Sequence, residues 1–227
     1  MTVALARALV AAGLIAAAAP PASCRPVNPR KAAIERASSG SPYPSRAFDA
    51  EIVTIECDDG YRLAGDYVKR RRQSAKLPGV ILLHDVGGSR SRWFPIALHL
   101  AGRGCAVLAL DLRGHGESPT QVGNVDLHSA DGSAPRLSST GTVEPRDVRV
   151  MLDDLRNAVS YLAIKGEVDG GRLAIVGAGF GGDLALAAAA EPWSEAVRCI
   201  VAVSPSLEDR GLDAVAEVPR IGKGRAL

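Results

Sequence analysis

Apolar and polar residues alternate over residues 48–57 and again over residues 61–69, with Asp58-Asp59-Gly60 between the two segments. Alternation with a period of two is typical of half-buried strands, and an Asp-Gly pair between such strands favours a tight turn. The pattern therefore predicts a β-hairpin from Phe48 onward. The basic cluster Lys69-Arg70-Arg71-Arg72 follows it. We interpret this cluster as a charged turn. If the N-terminus carried a lipid anchor, the same cluster would also suit contact with lipid headgroups.

Further along the chain, short unbroken apolar runs alternate with segments of helical periodicity. The runs predict strands over residues 79–84, 105–110, 172–176 and 199–203. The periodic segments predict helices over residues 91–103 and 181–190 and a longer helix that begins near Pro145. Strands covered on both faces and separated by helices form parallel sheets with right-handed crossovers. The predicted fold class is therefore α/β.

The N-terminal segment has the features of an export signal. Residues 1–24 place Arg7 before an apolar run over residues 8–19, which is too short to span a bilayer but suits a secretory signal peptide. Ala22-Ser23-Cys24 resembles the lipobox of bacterial lipoproteins, with Pro21 where that motif has leucine. Two outcomes stay open: a membrane tether through lipidated Cys24, or ordinary export to the periplasm or medium.

Composition divides the remainder into a linker and one domain. Residues 25–47 are rich in Pro, Ser and Arg without periodicity, which predicts a flexible linker, and residues 48–227 form the predicted domain. The net charge is only +2, from 27 basic and 25 acidic residues, which argues against nucleic acid as a partner. The four cysteines have no metal-binding spacing, so we predict no metal and no cofactor, and a disulfide pairing stays open.

Three segments together resemble the α/β-hydrolase superfamily, in particular its dienelactone-hydrolase-like and serine-peptidase-like members. They are LLHDVGGSRSRW (82–93), ALDLRGHGES (109–118) and RLAIVGAGFGGDLAL (172–186). The resemblance implies a mostly parallel sheet with an N-terminal antiparallel hairpin and helices on both faces. It also implies hydrolysis of an ester, lactone or amide through an acyl-serine, with a small molecule of that type as ligand.

The third segment departs from the family pattern at the nucleophile. The family has Gly-x-Ser-x-Gly at a strand-turn-helix, whereas this chain has Gly177-Ala178-Gly179-Phe180-Gly181. Gly179 at the nucleophile position has no hydroxyl, so we expect no acyl-enzyme. Glycine enters the strained backbone of such a turn at little cost, so folding should tolerate the change.

The remaining catalytic groups of the family are also missing from the sequence. The order in the family is nucleophile, acid, histidine, but all four histidines precede Gly179. Glu208 or Asp209 stands where a few relatives place the acid. We therefore interpret the chain as a C-terminally truncated, inactive member that lacks the last two strands. The strand over residues 199–203 should then be an edge that promotes aggregation or dimerisation.

The resemblance leaves the family's anion site in place. Its two donors correspond to the backbone N–H groups of Phe180 and Val86, which need no particular side chain. Asp85 replaces the usual glycine after His84. We expect its carboxylate to turn outward and cap the helix that begins near Ser91.

Two other classes of function compete with this interpretation. Gly177-x-Gly179-x-x-Gly182 also matches a dinucleotide fingerprint, although the next strand ends at Ser204-Pro205 without a ribose-binding acid. The third class is a non-catalytic envelope protein that binds a ligand in the cleft. Six further side chains have bland interpretations. We expect structural roles for Trp93, Arg113 and His115, and no motif places a partner histidine beside Ser89, Ser118 or Ser204.

Overall fold

Six strands pair into one mixed sheet in the computed structural model, which describes residues 47–118, 121–122, 125–126, 145–206, 208–209 and 212–213. The strands are β1 (Phe48–Glu56), β2 (Arg62–Arg70), β3 (Leu77–Leu83), β4 (Ala106–Leu110), β7 (Val168–Ala178) and β8 (Val197–Val203), in the order β1-β2-β4-β3-β7-β8. The hairpin β1–β2 is antiparallel and joins β4 antiparallel, while β4, β3, β7 and β8 run parallel. This confirms the predicted fold class and the N-terminal hairpin.

Three α-helices in the described ranges cover the sheet. They are α1 (Phe94–Gly102), α2 (Pro145–Ala163) and α3 (Phe180–Ala190), and two 3₁₀ turns cover Arg90–Trp93 and Pro192–Ala196. Two-residue strands also pair as β5 (Gln121–Val122) with β6 (Val125–Asp126) and as β9 (Glu208–Asp209) with β10 (Leu212–Asp213). The predicted signal peptide, Cys24 and most of the linker lie outside the described residues. No helix in the described part of the chain is long and apolar enough to cross a membrane.

The core has two layers because consecutive side chains of a strand point to opposite faces of the sheet. On one face, Ile81 and Leu83 of β3 pack in a cluster with α2 and α3. On the other face, Val80 and Leu82 pack in a cluster with α1 and the buried Trp93, as predicted for that tryptophan. Every residue of β3 and β4 is buried, which is why their apolar runs lack alternation.

Several element boundaries differ from the predicted ones. The helix expected over 91–103 starts with a 3₁₀ turn, and α1 begins at Phe94 with Pro95 in its first turn, where proline is tolerated. Strand β7 begins at Val168 and runs through Asp169-Gly170-Gly171, so it starts four residues before the predicted strand over residues 172–176. A register shift in the β3–β7 pairing after Pro78 accommodates these extra residues.

The structure describes both the predicted edge strand and three of the four cysteines. Strand β8 pairs with β7 and forms the edge of the sheet among the described strands. Cys57, Cys105 and Cys199 are buried and free, so the described residues contain no disulfide.

Candidate active site

The predicted site residues lie where the parallel strands end. His84 and Asp85 follow β3, Asp111 follows β4, and Gly179 lies between β7 and α3. In open α/β sheets, ligands bind in the crevice outside the carboxyl ends of the strands. The topology therefore brings the three family-like segments together at one edge of the sheet, which we call the carboxyl edge.

The turn between β7 and α3 depends on Gly179. This residue has φ +54° and ψ −127°, a conformation that side chains with a Cβ rarely adopt. Its N–H donates to the Val203 carbonyl (3.0 Å), and its carbonyl accepts from the Gly182 N–H (2.8 Å). The strand-to-helix turn is therefore fixed at both ends by backbone hydrogen bonds.

Close packing of this turn against β3 depends on a second glycine. A Cβ on Gly181 would lie 2.6 Å from the carbonyl oxygens of both Leu83 and His84, closer than non-bonded atoms approach. Glycine therefore allows the first turn of α3 to lie directly on the end of β3. This contact brings the Phe180 N–H within reach of the residue that follows His84.

The Asp85 carboxylate points into the site, contrary to our prediction that it turns outward. Its Oδ1 accepts hydrogen bonds from the backbone N–H groups of Val86 (2.8 Å) and Phe180 (2.9 Å). It makes no capping contact with the turn at Ser91, where Ser91 Oγ instead contacts Ser89 Oγ at 2.8 Å. Two backbone N–H donors and the positive N-terminal end of α3 both stabilise a negative charge at this point. Together they favour this orientation of the Asp85 carboxylate over one capping hydrogen bond near Ser91.

The same carboxylate fills the space above Gly179. A Cβ on Gly179 would lie 2.6 Å from Asp85 Oδ2 and closer still to Oδ1 and Cγ. A side chain at position 179 and the observed Asp85 conformer therefore exclude one another. The two amides expected to form the family's anion site do converge on one oxygen atom, and that oxygen belongs to the protein itself.

His84 connects this site to the turn after β4. Its Nε2 accepts a hydrogen bond from the Leu112 N–H (3.0 Å), so Nδ1 carries the proton and donates to the Asp85 carbonyl (2.7 Å). Burial lowers the pKa of His84, and the nearby His115 ring, 5.2 Å away between centroids, adds to this effect. The imidazole is therefore held neutral as a structural link and is not available as a general base.

Asp111 and Arg90 brace the neighbouring loops. Asp111 Oδ1 accepts from the Arg90 N–H (2.6 Å), and Oδ2 accepts from the Glu117 N–H (2.8 Å) and from the Arg90 guanidinium. Arg90 also donates to Asp66 (2.8 Å) and Glu117 (2.7 Å). The acids around this buried guanidinium fix the two loops to each other and to β2.

Arg113 forms a second buried ion-pair cluster. Its guanidinium donates to Asp154 (2.8 and 2.5 Å), contacts Asp59 (2.8 Å) and lies 3.8 Å from the centre of the Tyr61 ring. Cys57 lies beside the two carboxylates, and these three residues are close enough together to hold a metal ion. The Arg113 guanidinium already supplies the positive charge that the two carboxylates require.

The candidate serines divide between structural and exposed positions. Ser118 Oγ donates to the Asp111 carbonyl (2.7 Å) and accepts from the Ala64 N–H (2.9 Å), which ties its hydroxyl into the loop scaffold. Ser204 is exposed at the end of β8 with a positive φ of 50°. The side chains of Glu208 and Asp209 lie outside the described residues.

A parallel sheet extended by an antiparallel hairpin, with glycine-rich turns at the carboxyl edge, defines the α/β-hydrolase class. The model of the alpha/beta hydrolase fold family matches residues 78–223, and the chain belongs to this family.

Similarity to known proteins supports the same class. The chain is 31% identical over 127 residues to an uncharacterised protein of Mycobacterium tuberculosis (strain H37Rv), covering 54% of this chain and 44% of that protein. It is 27% identical over 151 residues to the uncharacterised protein YfhR of Salmonella typhimurium, covering 64% and 42%. Among solved structures, an acetyl xylan esterase from Paenibacillus sp. R4 matches with TM-score 0.55 and 27% identity, covering 74% of this chain and 52% of the esterase. The chain thus spans about half the length of these proteins.

The orientation of Asp85 is the feature that sequence reasoning missed. The signal was present, because Asp at the usual glycine after His84 and Gly at the usual serine position occur together in one chain. Taken alone, Asp85 is explained by helix capping and Gly179 by loss of the catalytic hydroxyl, so neither change points to the other. Only the distance between the end of β3 and the start of α3 shows that one side chain replaces the other in the same volume.

Proposed function

We propose that this chain is an α/β-hydrolase of the ester, lactone or amide hydrolase type that performs no acyl-serine catalysis. The observation that carries the proposal is the position of the Asp85 carboxylate on the Val86 and Phe180 amides, directly above Gly179. A nucleophile side chain and a substrate oxyanion would both need this volume.

Electrostatics support the same conclusion. Acyl transfer requires donors aimed at an oxygen that becomes negative in the transition state. Here a carboxylate oxygen already accepts both hydrogen bonds, so a substrate oxygen would have to displace it and lie beside its charge. His84, which lies beside this site, is engaged through both ring nitrogens.

The ligand class follows from the family and from one structural relative. The acetyl xylan esterase from Paenibacillus sp. R4 matches 74% of this chain with a TM-score of 0.55. We therefore propose that any ligand of the cleft is a small molecule of the ester or amide type, bound without turnover. We also propose an exported protein, with Cys24 as a membrane tether.

The dinucleotide alternative conflicts with the position of Asp85. A pyrophosphate at the Gly177-x-Gly179-x-x-Gly182 turn would lie at the N-terminus of α3, where the amides donate to it. The Phe180 amide there already donates to a carboxylate, which would repel a phosphate. The position of Asp85 thus favours a non-catalytic binding protein over a nucleotide-binding protein.

The proposal is tested first by catalysis. The 227-residue chain and its Gly179→Ser variant are incubated with p-nitrophenyl acetate and with a fluorophosphonate probe. Neither protein should turn over the ester or label with the probe. The unchanged chain has no hydroxyl at position 179 and holds Asp85 on the two amides. In Gly179→Ser the new hydroxyl lacks a free base, because His84 is engaged through both ring nitrogens. Turnover or labelling of the unchanged protein well above a heat-denatured sample would overturn the proposal.

A second experiment tests the occupied anion site directly. Acetate is titrated into ¹⁵N-labelled protein, and the amide resonances of Val86 and Phe180 are followed. These resonances should respond to acetate in Asp85→Gly, but not in the unchanged chain or in Asp85→Asn, which keeps an oxygen for both amides. Equal responses in all three proteins would show that Asp85 does not fill the site.

A further inference from the structure

The edge of the sheet opposite the candidate site carries the basic cluster that follows β2. The parallel strands begin at this edge, which we call the amino edge, and β3 separates it from the carboxyl edge by seven residues, about 20 Å. Arg70 ends β2, and Arg71, Arg72 and Lys76 lie on the exposed loop that leads to β3. The cluster is therefore remote from Asp85 and Gly179.

Part of this positive charge lacks an acidic partner. Asp49 pairs with Lys69 (3.4 Å) and Arg71 (2.8 Å), and Glu167 lies 3.9 Å from Lys69. Arg70, Arg72 and Lys76 form no ion pair with any residue that the structure describes. These three side chains thus present uncompensated charge to solvent.

The described part of the chain begins at the same edge. Phe48, the first residue of β1, is paired with Arg70, and the Arg71 N–H donates to the Ala47 carbonyl (3.0 Å). Residues 1–46 therefore join the domain directly beside the basic cluster. This arm contains the apolar run over residues 8–19 and a segment with five basic residues and one acid: Arg25, Arg30, Lys31, Arg36, Arg46 and Glu35.

From these positions we propose that the amino edge docks on an anionic phospholipid surface, with Arg70, Arg72 and Lys76 as its contact residues. A single lipid chain holds a protein to a bilayer weakly, whereas a lipid chain with a basic patch gives stable attachment. Each basic residue near an anionic surface tightens binding about fivefold. The lipid tether proposed at Cys24, on the same arm, favours a bilayer over nucleic acid as the source of phosphate.

Docking in this orientation has a consequence for the candidate site. Because the two edges lie at opposite ends of the parallel strands, the carboxyl edge with Asp85 points away from the bilayer. The cleft would then stay open to ligands in solution while the domain is held at the membrane. This inference rests on the proposed Cys24 tether, and it does not depend on the chemistry proposed for the carboxyl edge.

The proposal is tested by sedimentation of the full 227-residue chain with lipid vesicles. Vesicles of phosphatidylcholine alone measure the binding that does not depend on surface charge, and vesicles with one quarter phosphatidylglycerol add negative charge. We expect at least about tenfold tighter binding to the anionic vesicles at low salt, and loss of this gain at high salt. Equal binding to both vesicles at low salt would overturn the proposal.

Matched variants separate a local contact from net charge. The triple variant Arg70→Gln, Arg72→Gln, Lys76→Gln should weaken binding to the anionic vesicles at least about tenfold. Arg62→Gln, Arg92→Gln, Arg156→Gln removes the same charge near the carboxyl edge and should change binding less than about twofold. Equal losses in the two triple variants would refute a specific docking edge. Binding to duplex DNA that is as tight as to vesicles and equally sensitive to the first triple variant would refute a lipid partner.

Discussion

Asp85 Oδ1 and the Phe180 N–H are joined by a 2.9 Å hydrogen bond between the end of β3 and the first residue of α3. The contact exists because Gly179, the residue before Phe180, has no side chain in the space that the carboxylate fills. Asp85 and Gly179 therefore form one structural unit, and their two departures from the family pattern are compatible only as a pair.

Gly179→Ser should destabilise the protein, because its Cβ would collide with the Asp85 carboxylate at a backbone φ of +54°. We expect a loss of roughly 2 kcal/mol or more in the free energy of unfolding, measured by urea denaturation. Replacing Asp85 by Gly in the same protein should recover about 1–3 kcal/mol of this loss, since the collision is removed.

Gly104→Ser is the control for the effect of backbone conformation alone. Gly104 also has a positive φ, +90°, but a Cβ there would meet no atom within 4 Å. The loss of stability in Gly104→Ser should be smaller than that in Gly179→Ser. Adding Asp85→Gly to Gly104→Ser should not recover it. Additive effects of Asp85→Gly and Gly179→Ser would show that the two residues do not share one volume.

The sequence predicts the fold well because local patterns and packing agree over most of the chain. Unbroken apolar runs over β3 and β4 identify strands covered on both faces, and the stripe through Val148, Met151 and Leu155 identifies the buried face of α2. The start of β7 was missed because Asp169-Gly170-Gly171 has the composition of a turn. Pairing with Leu77 and Pro78 overrides that composition.

The candidate site is less predictable because its decisive contact joins residues 95 positions apart. A carboxylate after His84 is equally compatible with helix capping and with binding the α3 amides. Local sequence does not distinguish these two states, and the choice depends on how closely Gly181 lets α3 approach β3. The same limit applies to Arg113, whose partner Asp154 is on α2.

Arg113→Met should destabilise the protein by about 3–5 kcal/mol, because it leaves the buried Asp154 carboxylate without its bidentate partner. Urea denaturation at neutral pH measures the effect. Arg113→Met combined with Asp154→Leu should recover much of the loss, since no buried charge is left unpaired.

Arg62→Met provides the comparison for an exposed arginine. Its side chain is 59% exposed and its Nε lies 3.7 Å from Glu56 Oε1, so we expect a change below about 1 kcal/mol. A similar loss in Arg62→Met and Arg113→Met would contradict a specific role for the buried pair.

Stability should fall as the pH drops below the ordinary His84 pKa of 6.5, because burial lowers the pKa of His84 in the folded protein. In the unfolded chain His84 binds a proton near pH 6.5, whereas the folded protein resists protonation until lower pH. The contribution of His84 to the free energy of unfolding is therefore complete above pH 6.5, and it is lost as the pH falls toward the pKa of His84 in the folded protein. Denaturation midpoints between pH 5 and 8 measure this loss.

His84→Gln identifies the source of that pH dependence. The variant should be less stable at pH 8, because the hydrogen bonds to Leu112 and Asp85 are disturbed, but it should lose less stability on acidification. His99 also has a pKa lowered mainly by burial, so His99→Gln measures its separate share. An unchanged pH profile in His84→Gln would exclude His84 as a contributor.

The three described cysteines should be unreactive in the folded protein, because thiolate is the reactive form and burial opposes it. Burial raises the pKa of Cys105 to about 12 and that of Cys199 to about 11, and it also raises the pKa of Cys57. We expect no maleimide labelling at pH 7.5 in a Cys24→Ser background, and three labels per chain after unfolding in urea. Mass spectrometry counts the labels, and a reducing agent added before unfolding should not change the count. Rapid labelling of folded protein would contradict the buried positions, and fewer than three labels without reducing agent would reveal a disulfide.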